Sequence, residues 1–339
     1  MLTVNGRKNY TSCGDEAAEN LLDKVLSEMH DTLSGTGLSL YLGGSYGRGE
    51  GGVRLDKENG ILYNDLDFFV FTRQKPANGE KLLQVTAEKF ESELKVDVDF
   101  SNIMSVKDIK KNAQRLMMQE LKRGYRLVCG EDLLAKYLPE IPAEKLPFSE
   151  ACRLLLNRGM GLLLAGEKLA NKSTDTDFIL RNIYKAILGS GDAWLITQGK
   201  YCWKIRERQA LFMQLDLPEA WKKLYAGAVE FKSSPHRNRQ DDIEKLWADV
   251  RDFYRTTLQK QVGVEPTEIW QKCRSYKSTA WKNFVKYCLK TRSLPLSGWK
   301  IYTAPPVAVL LSDLYKVLES MPHSIDRKSK LYRQWLIFN

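Results

Sequence analysis

Two pairs of aspartates stand at i and i+2 in this chain: Asp65 and Asp67 in DLDFFVF, and Asp97 and Asp99 in VDVDF. In a strand, residues two apart point to the same face, so each pair would project together. The residues that follow Asp67, from Phe68 to Phe71, are apolar and belong in a sheet core. Carboxylates beside a core are costly unless a cation offsets them, and a divalent metal does so with few groups. If the two strands are neighbours, three or four carboxylates converge. Such a set could hold two Mg²⁺ ions about 4 Å apart, or Mn²⁺ in their place, and clamp the attacking and leaving oxygens of a phosphoryl transfer. Mg²⁺ favours a few carboxylates completed by water and substrate phosphate, which suits this pattern.

Upstream stands GGSYGRGEGG, residues 43–52. Glycines let the backbone approach a phosphate, and exposed N–H groups with a serine hydroxyl can hold it. Gly43, Gly44 and Ser45 are the candidates for that contact, with Arg48 as a further phosphate-binding group and Glu50 as a cap or ion-pair partner. The stretch matches neither the GxGxxG dinucleotide fingerprint nor the GxxxxGK[ST] P-loop.

The elements that must position these residues can be read from periodicity. Ala18, Leu21, Leu22, Val25, Leu26 and Met29 have helical spacing from Asp15 to Leu33. LSLYLGG is an apolar strand ending in glycines, and VRLDKENGILYN reads as a hairpin excursion with Asn59-Gly60 at its turn. DLDFFVFT is a second strand, EKLLQVTAEKFESEL an amphipathic helix, and KVDVDFSNIM a third strand. The prolines of LPEIPAEKLPF mark a linker at about 138–148. Beyond it the pattern is helical. Ser149 is the expected N-cap of a leucine-rich helix, residues 177–199 form two helices or one broken near Gly189–Gly191, and a further helix runs from Thr267 to Thr291. The expected class is α+β: a mixed sheet with flanking helices over 1–137, then an all-α bundle over 149–339.

Gly43-Gly44-Ser45, then Asp65-Leu66-Asp67 at the start of an apolar strand, then a third carboxylate on a later strand, resembles the signature of the DNA polymerase β-like nucleotidyltransferase superfamily. The motifs cover roughly 38–105. The α/β head followed by helices is similar to the small kanamycin-nucleotidyltransferase-like and MNT-type members. The resemblance implies transfer of a nucleoside monophosphate from an NTP, ATP first, with two Mg²⁺ ions. It implies that Gly44 and Ser45 hold the triphosphate, that Asp65 and Asp67 bind both metals, and that a third carboxylate serves the catalytic metal and helps deprotonate the acceptor hydroxyl. VDVDFSN lines up with the V-D-[IL]-[ST]-F-x-N pattern of the poly(A)-polymerase-like branch, which favours Asp97 as the third carboxylate over Asp99. In similar enzymes a bundle lysine reaches the triphosphate, and Lys185 is either that group or an exposed helical lysine. The spacing from Ser45 to Asp65 is longer than in compact members because of the VRLDKENGILYN insert.

Charge divides the chain. Residues 1–150 hold 20 Lys/Arg against 24 Asp/Glu, and residues 151–339 hold 32 against 18. All eight tryptophans lie in the second half, from Trp194 onward. Residues 271–339 carry 13 basic and 3 acidic side chains, a composition that suits an anionic partner or, equally, a solvated helix face. Arg153 and Asn157 share a helix face, to line a cleft or to bond across the bundle. The acceptor is expected to be a small molecule or protein side chain, with RNA ends next; no aromatic RNP motif is present. The basic half would serve a homodimer contact as readily as a substrate. Six scattered cysteines without a CxxC pair read as reduced, mostly buried thiols, and three distant histidines give poor support to a histidine metal site or a Ser-His-Asp triad. No apolar run reaches the ~20 residues that span a bilayer, and the N-terminus lacks the apolar core of a signal peptide, so a cytoplasmic protein without a membrane partner is expected. The rival reading is a catalytically silent nucleotide or nucleic-acid binder on the same fold.

Overall fold

The computed structural model describes residues 9–54, 61–235, 242–273, 280–291, 306–320 and 325–338. It is a mixed α+β protein: a five-stranded mixed sheet near the N-terminus is followed by helices. The chain divides into two compact units, Met1–Pro142 with Glu230–His236, and Ala143–Val229 with Arg237–Asn339. The first break falls inside the proline-rich 138–148 stretch. The return of 230–236 to the first unit has no counterpart in the sequence reading, which assigned everything past 149 to the bundle.

In the first unit, helix α1 (Glu16–Leu33) starts at Asp15, whose side chain accepts from the Ala18 N–H, and buries Ala18, Leu22, Val25, Leu26, Met29 and Leu33. Strand β1 (Leu38–Leu42) leads into the single turn α2 (Gly44–Gly47). Strand β2 (Leu66–Thr72) lies antiparallel to β1, with Leu42 opposite Phe68. Helix α3 (Gly79–Leu94) then crosses to β3 (Val98–Phe100), which is parallel to β2. The short β4 (Met104–Ser105) also pairs with β2, and α4 (Val106–Asn112), α5 (Leu116–Gly124), β5 (Arg126–Cys129) and α6 (Leu133–Tyr137) complete the unit. The order across the sheet is β3-β2-β1-β5. The third strand expected over 95–104 is thus two short pieces.

Alternation splits β2 between two cores. Leu66, Phe68 and Val70 join the cluster containing Leu22, Val25 and Phe90 of α1 and α3. Phe71 joins the cluster of Tyr41, Ile109, Met118 and Leu121, with Phe69 packed against it. Asp67 shares the face of Phe69 and Phe71 but lies nearer the strand's start. The hairpin excursion is present at its base, where Val53 bridges Leu62 and the Arg54 N–H donates to the Ile61 carbonyl; the Asn59-Gly60 turn lies outside the described residues.

The second unit is helical: α7 (Phe148–Ala170), α8 (Thr176–Thr197), α9 (Ile205–Met213), α10 (Glu219–Ser233, whose last residues belong to the first unit), α11 (Ile243–Thr257), α12 (Pro266–Lys272), α13 (Ala280–Thr291), α14 (Pro306–Glu319) and α15 (Ile325–Phe338). Two expectations are corrected. Helix α7 starts two residues earlier than a Ser149 cap would give, with Pro147 at the N-cap and Ser149 buried in the first turn. Helix α8 is continuous through Gly189–Gly191. A Cβ on Gly189 would overlap the Arg158 side chain, and one on Gly191 would overlap Tyr225, so these glycines admit close neighbours instead of ending the helix. The helix expected over 267–291 is described as α12 and α13, with 274–279 between them outside the described residues.

Candidate functional site

The glycine turn and the Asp67 strand are brought into direct contact. The Gly43 N–H donates to the Asp67 carbonyl at 2.8 Å. Gly44 has φ +58°, and a Cβ there would overlap the Asp67 carboxylate. Only glycine satisfies both demands: it takes the left-handed conformation without cost and leaves room for the carboxylate. A Cβ on Gly43 would meet the Phe69 ring at 2.6 Å, so the turn is seated on the same face of β2 from Asp67 to Phe69. Ser45 is half-buried in the first turn of α2, where helix geometry leaves N–H groups without intrahelical acceptors.

The position of the aspartates follows from register. Asp67 lies opposite Asp99, with Leu66 opposite Val98 and Phe68 opposite Phe100. In a parallel pair, opposite residues share a face, so Asp67 and Asp99 stand side by side. Asp67 is half-buried and Asp99 exposed. Asp65 and Asp97 each lie one residue before their strands, and the Asp97 carbonyl accepts the Leu66 N–H at 2.9 Å. Asp97 is therefore exposed at the ladder's entrance, and Asp99 is the carboxylate that register places against Asp67. Asp97 and Asp99 have the same periodicity, and only the strand offset separates them.

Among the described residues, no group of three or more His, Cys, Asp or Glu side chains is disposed to hold a metal ion. What register supplies is a pair. Two carboxylates side by side are a donor set of the kind that Mg²⁺ takes when water and phosphate oxygens complete its shell.

Three residues that sequence reasoning did not single out hold the turn in place. The buried Tyr46 hydroxyl donates to the Gly52 carbonyl at 2.8 Å and accepts from the Tyr63 and Asn64 N–H groups at 3.1 and 3.3 Å. Burial pushes its phenol well above the ordinary value. Asn64 Oδ1 accepts the Gly52 N–H at 2.7 Å. The segment just before Asp65 is thereby tied to the glycine loop. Tyr46 stands inside the motif, and a bulky aromatic among glycines was the available signal. Lys232, at the end of α10, had none: its Nζ lies 3.6 Å from Glu50 Oε2.

Arg48 is held by acidic neighbours, with Glu50 as an ion-pair partner. Its Nε lies 3.2 Å from Glu50 Oε2 and its Nη1 3.8 Å from Glu120, with Gly124 directly beneath the side chain. Arg48 and Lys232 thus share the Glu50 carboxylate, and the loop's cation braces the loop. Lys185 is half-buried on α8 in the second unit. Asn157 accepts from Trp335 Nε1 at 3.1 Å, a bond across the helical unit, while Arg153 lies 3.6 Å from Glu150.

No helix among the described residues is long and apolar enough to cross a membrane. No family model matches the chain, and no curated protein matches it either.

Proposed function

We propose that the chain is a Mg²⁺-dependent nucleotidyltransferase that moves a nucleoside monophosphate from an NTP, ATP first, to an acceptor hydroxyl and releases pyrophosphate. The observation that carries this reading is the seating of Gly44, at φ +58°, against an Asp67 carboxylate that stands beside Asp99. A phosphate-accommodating turn and a metal-binding carboxylate pair are what in-line attack at an α-phosphate needs in one place.

In this reading the Gly44 and Ser45 backbone N–H groups and the Ser45 hydroxyl bind the triphosphate, and Gly43, whose own N–H is held by the Asp67 carbonyl, lets the backbone approach it. Asp67 and Asp99 hold the metal. Bound there, Mg²⁺ would neutralise phosphate charge and align the attacking and leaving oxygens. Asp99, the more exposed carboxylate, is the one placed to draw the proton from an acceptor hydroxyl, and Asp65 extends the same acidic face by one pleat. Tyr46 and Asn64 keep the turn and strand in register, so that positioning, the larger part of such catalysis, is built into the backbone. The acceptor is a small molecule or protein side chain first and an RNA end second.

The test is release of pyrophosphate from each of the four NTPs with Mg²⁺ or Mn²⁺, with α-³²P label followed into lysate protein, RNA and small-molecule fractions. Label in one fraction, lost in Asp67→Asn, supports the reading and identifies the acceptor class. Nucleotide-dependent thermal stabilisation with no pyrophosphate from any NTP overturns it in favour of a silent nucleotide binder.

A further inference from the structure

The helical unit holds a second chemically notable pair, and it owes nothing to the nucleotidyltransferase reading. Cys152 lies near the start of α7, and Cys273 caps the end of α12, its N–H donating to the Ile269 carbonyl at 2.9 Å. They are 121 positions apart in the chain, and their Sγ atoms are 2.9 Å from one another. Uncharged heavy atoms rest at about 3.5–4.0 Å, so this approach is closer than packing alone produces. Both side chains are 0% exposed. The other thiols are arranged differently: Cys13 is exposed, Cys202 and Cys288 are half-buried, and Cys129 is buried in the first unit.

We propose that Cys152 and Cys273 are an oxidisable dithiol that closes to a disulfide bond joining α7 to α12, with hydrogen peroxide as the class of oxidant. A small peroxide suits a pair enclosed by the fold. The two sulfurs are not equivalent. The hydrogen bond from Cys152 holds the Cys273 thiol below its usual value, and the positive charges of Arg153 and Lys272 act in the same direction; burial pushes Cys152 up. Cys273 is therefore the attacking thiolate. Its sulfur takes one peroxide oxygen, the O–O bond breaks, and the departing hydroxide leaves as water with the Cys273 proton. The resulting sulfenic acid is attacked by the Cys152 sulfur, the S–O bond breaks, and the second hydroxide leaves as water with the Cys152 proton. Two thiols are oxidised and one peroxide is reduced to two waters.

The experiment treats folded wild-type protein with hydrogen peroxide, alkylates the remaining thiols in denaturant and digests with trypsin. The expected product joins residues 146–153 to residues 273–274, with two of the six thiols lost and both regained on reduction. The oxidised protein should melt at least about 5 °C higher than the reduced one, because the cross-link closes a long loop. That rise should be absent in Cys152→Ser and Cys273→Ser. Oxidation confined to the exposed Cys13, or a peroxide-treated protein with all six thiols still alkylated, overturns the proposal. The peptide map on wild type needs no variant to fold.

Discussion

Asp192 and Asp67 are both carboxylates set among apolar side chains, one in each unit, and their surroundings differ in kind. Asp192 on α8 is 6% exposed. It accepts from Arg208 Nη1 at 2.5 Å and from the Tyr225 hydroxyl at 2.7 Å, and Arg208 also donates to the Tyr201 hydroxyl at 2.6 Å. The chain supplies the cation and the hydrogen bonds that a buried charge requires. Asp67 instead has another carboxylate, Asp99, as its neighbour across the ladder, and both lie at an accessible strand end. Like charges placed opposite each other oppose folding. The first arrangement is how a fold accommodates an acid for its own sake. The second sets two carboxylates side by side at the end of a ladder.

That contrast can be broken most directly at its acidic ends. Asp67→Asn and Asp99→Asn should each lower nucleotide transfer at least ~10³-fold, about 4 kcal/mol of barrier, while leaving the melting temperature unchanged or raised. Asp97→Asn should cost under about tenfold in the same assay; equal losses at Asp97 and Asp99 would refute the register argument. Asp192→Ala should behave inversely. It leaves Arg208 buried without its carboxylate and should cost about 3 kcal/mol or more in urea unfolding. A mild effect there would mean that solvent reaches the network. Tyr46→Phe sharpens the comparison at the site itself. It removes the partner of the Gly52 carbonyl and of the Tyr63 and Asn64 N–H groups, so a loss of about 1–3 kcal/mol is expected, read by denaturation, with a fall in transfer rate. The smallest effect concerns α4. Ser105 and Asp108 form a capping box, and the hydrogen bonds from Ser105 hold the Asp108 carboxyl below its usual value. A depressed carboxyl contributes stability above its unfolded value and loses it as pH falls through the folded one. Ser105→Ala should cost about 1 kcal/mol near neutral pH, with the difference from wild type shrinking in acid.

Residues with a single physical meaning could be read from sequence. The α1 stripe, the LSLYL run and the apolar DFFVF each admit one packing solution, and Asp15 caps where a cap was needed. The Gly43-Gly44-Ser45 turn was legible because paired glycines end an apolar strand, while the left-handed φ of Gly44 comes only from the fold. The register of Asp99 against Asp67 was hidden because periodicity gives the face and not the offset between strands. Gly189 and Gly191 were misread because a glycine that ends a helix and one that admits Arg158 or Tyr225 look alike in one dimension. Arg48 gave no sign of its commitment to Glu50 and Glu120, since Glu120 reaches it only through the fold.

The assignment of Glu230–His236 to the first unit bears on how the protein is made. Ser233 accepts from the Ser12 hydroxyl through its carbonyl, Phe231 meets Tyr63 edge-on, and Lys232 reaches Glu50. The ribosome finishes the sheet-forming strands well before it delivers these residues. At 5–20 residues per second, the interval from Pro142 to Glu230 lasts roughly 5–20 s. During synthesis the nascent N-terminal unit therefore passes through a stage in which its sheet can pair while the glycine loop still lacks its last brace. The contacts of Phe231, Lys232 and Ser233 can form only after that interval.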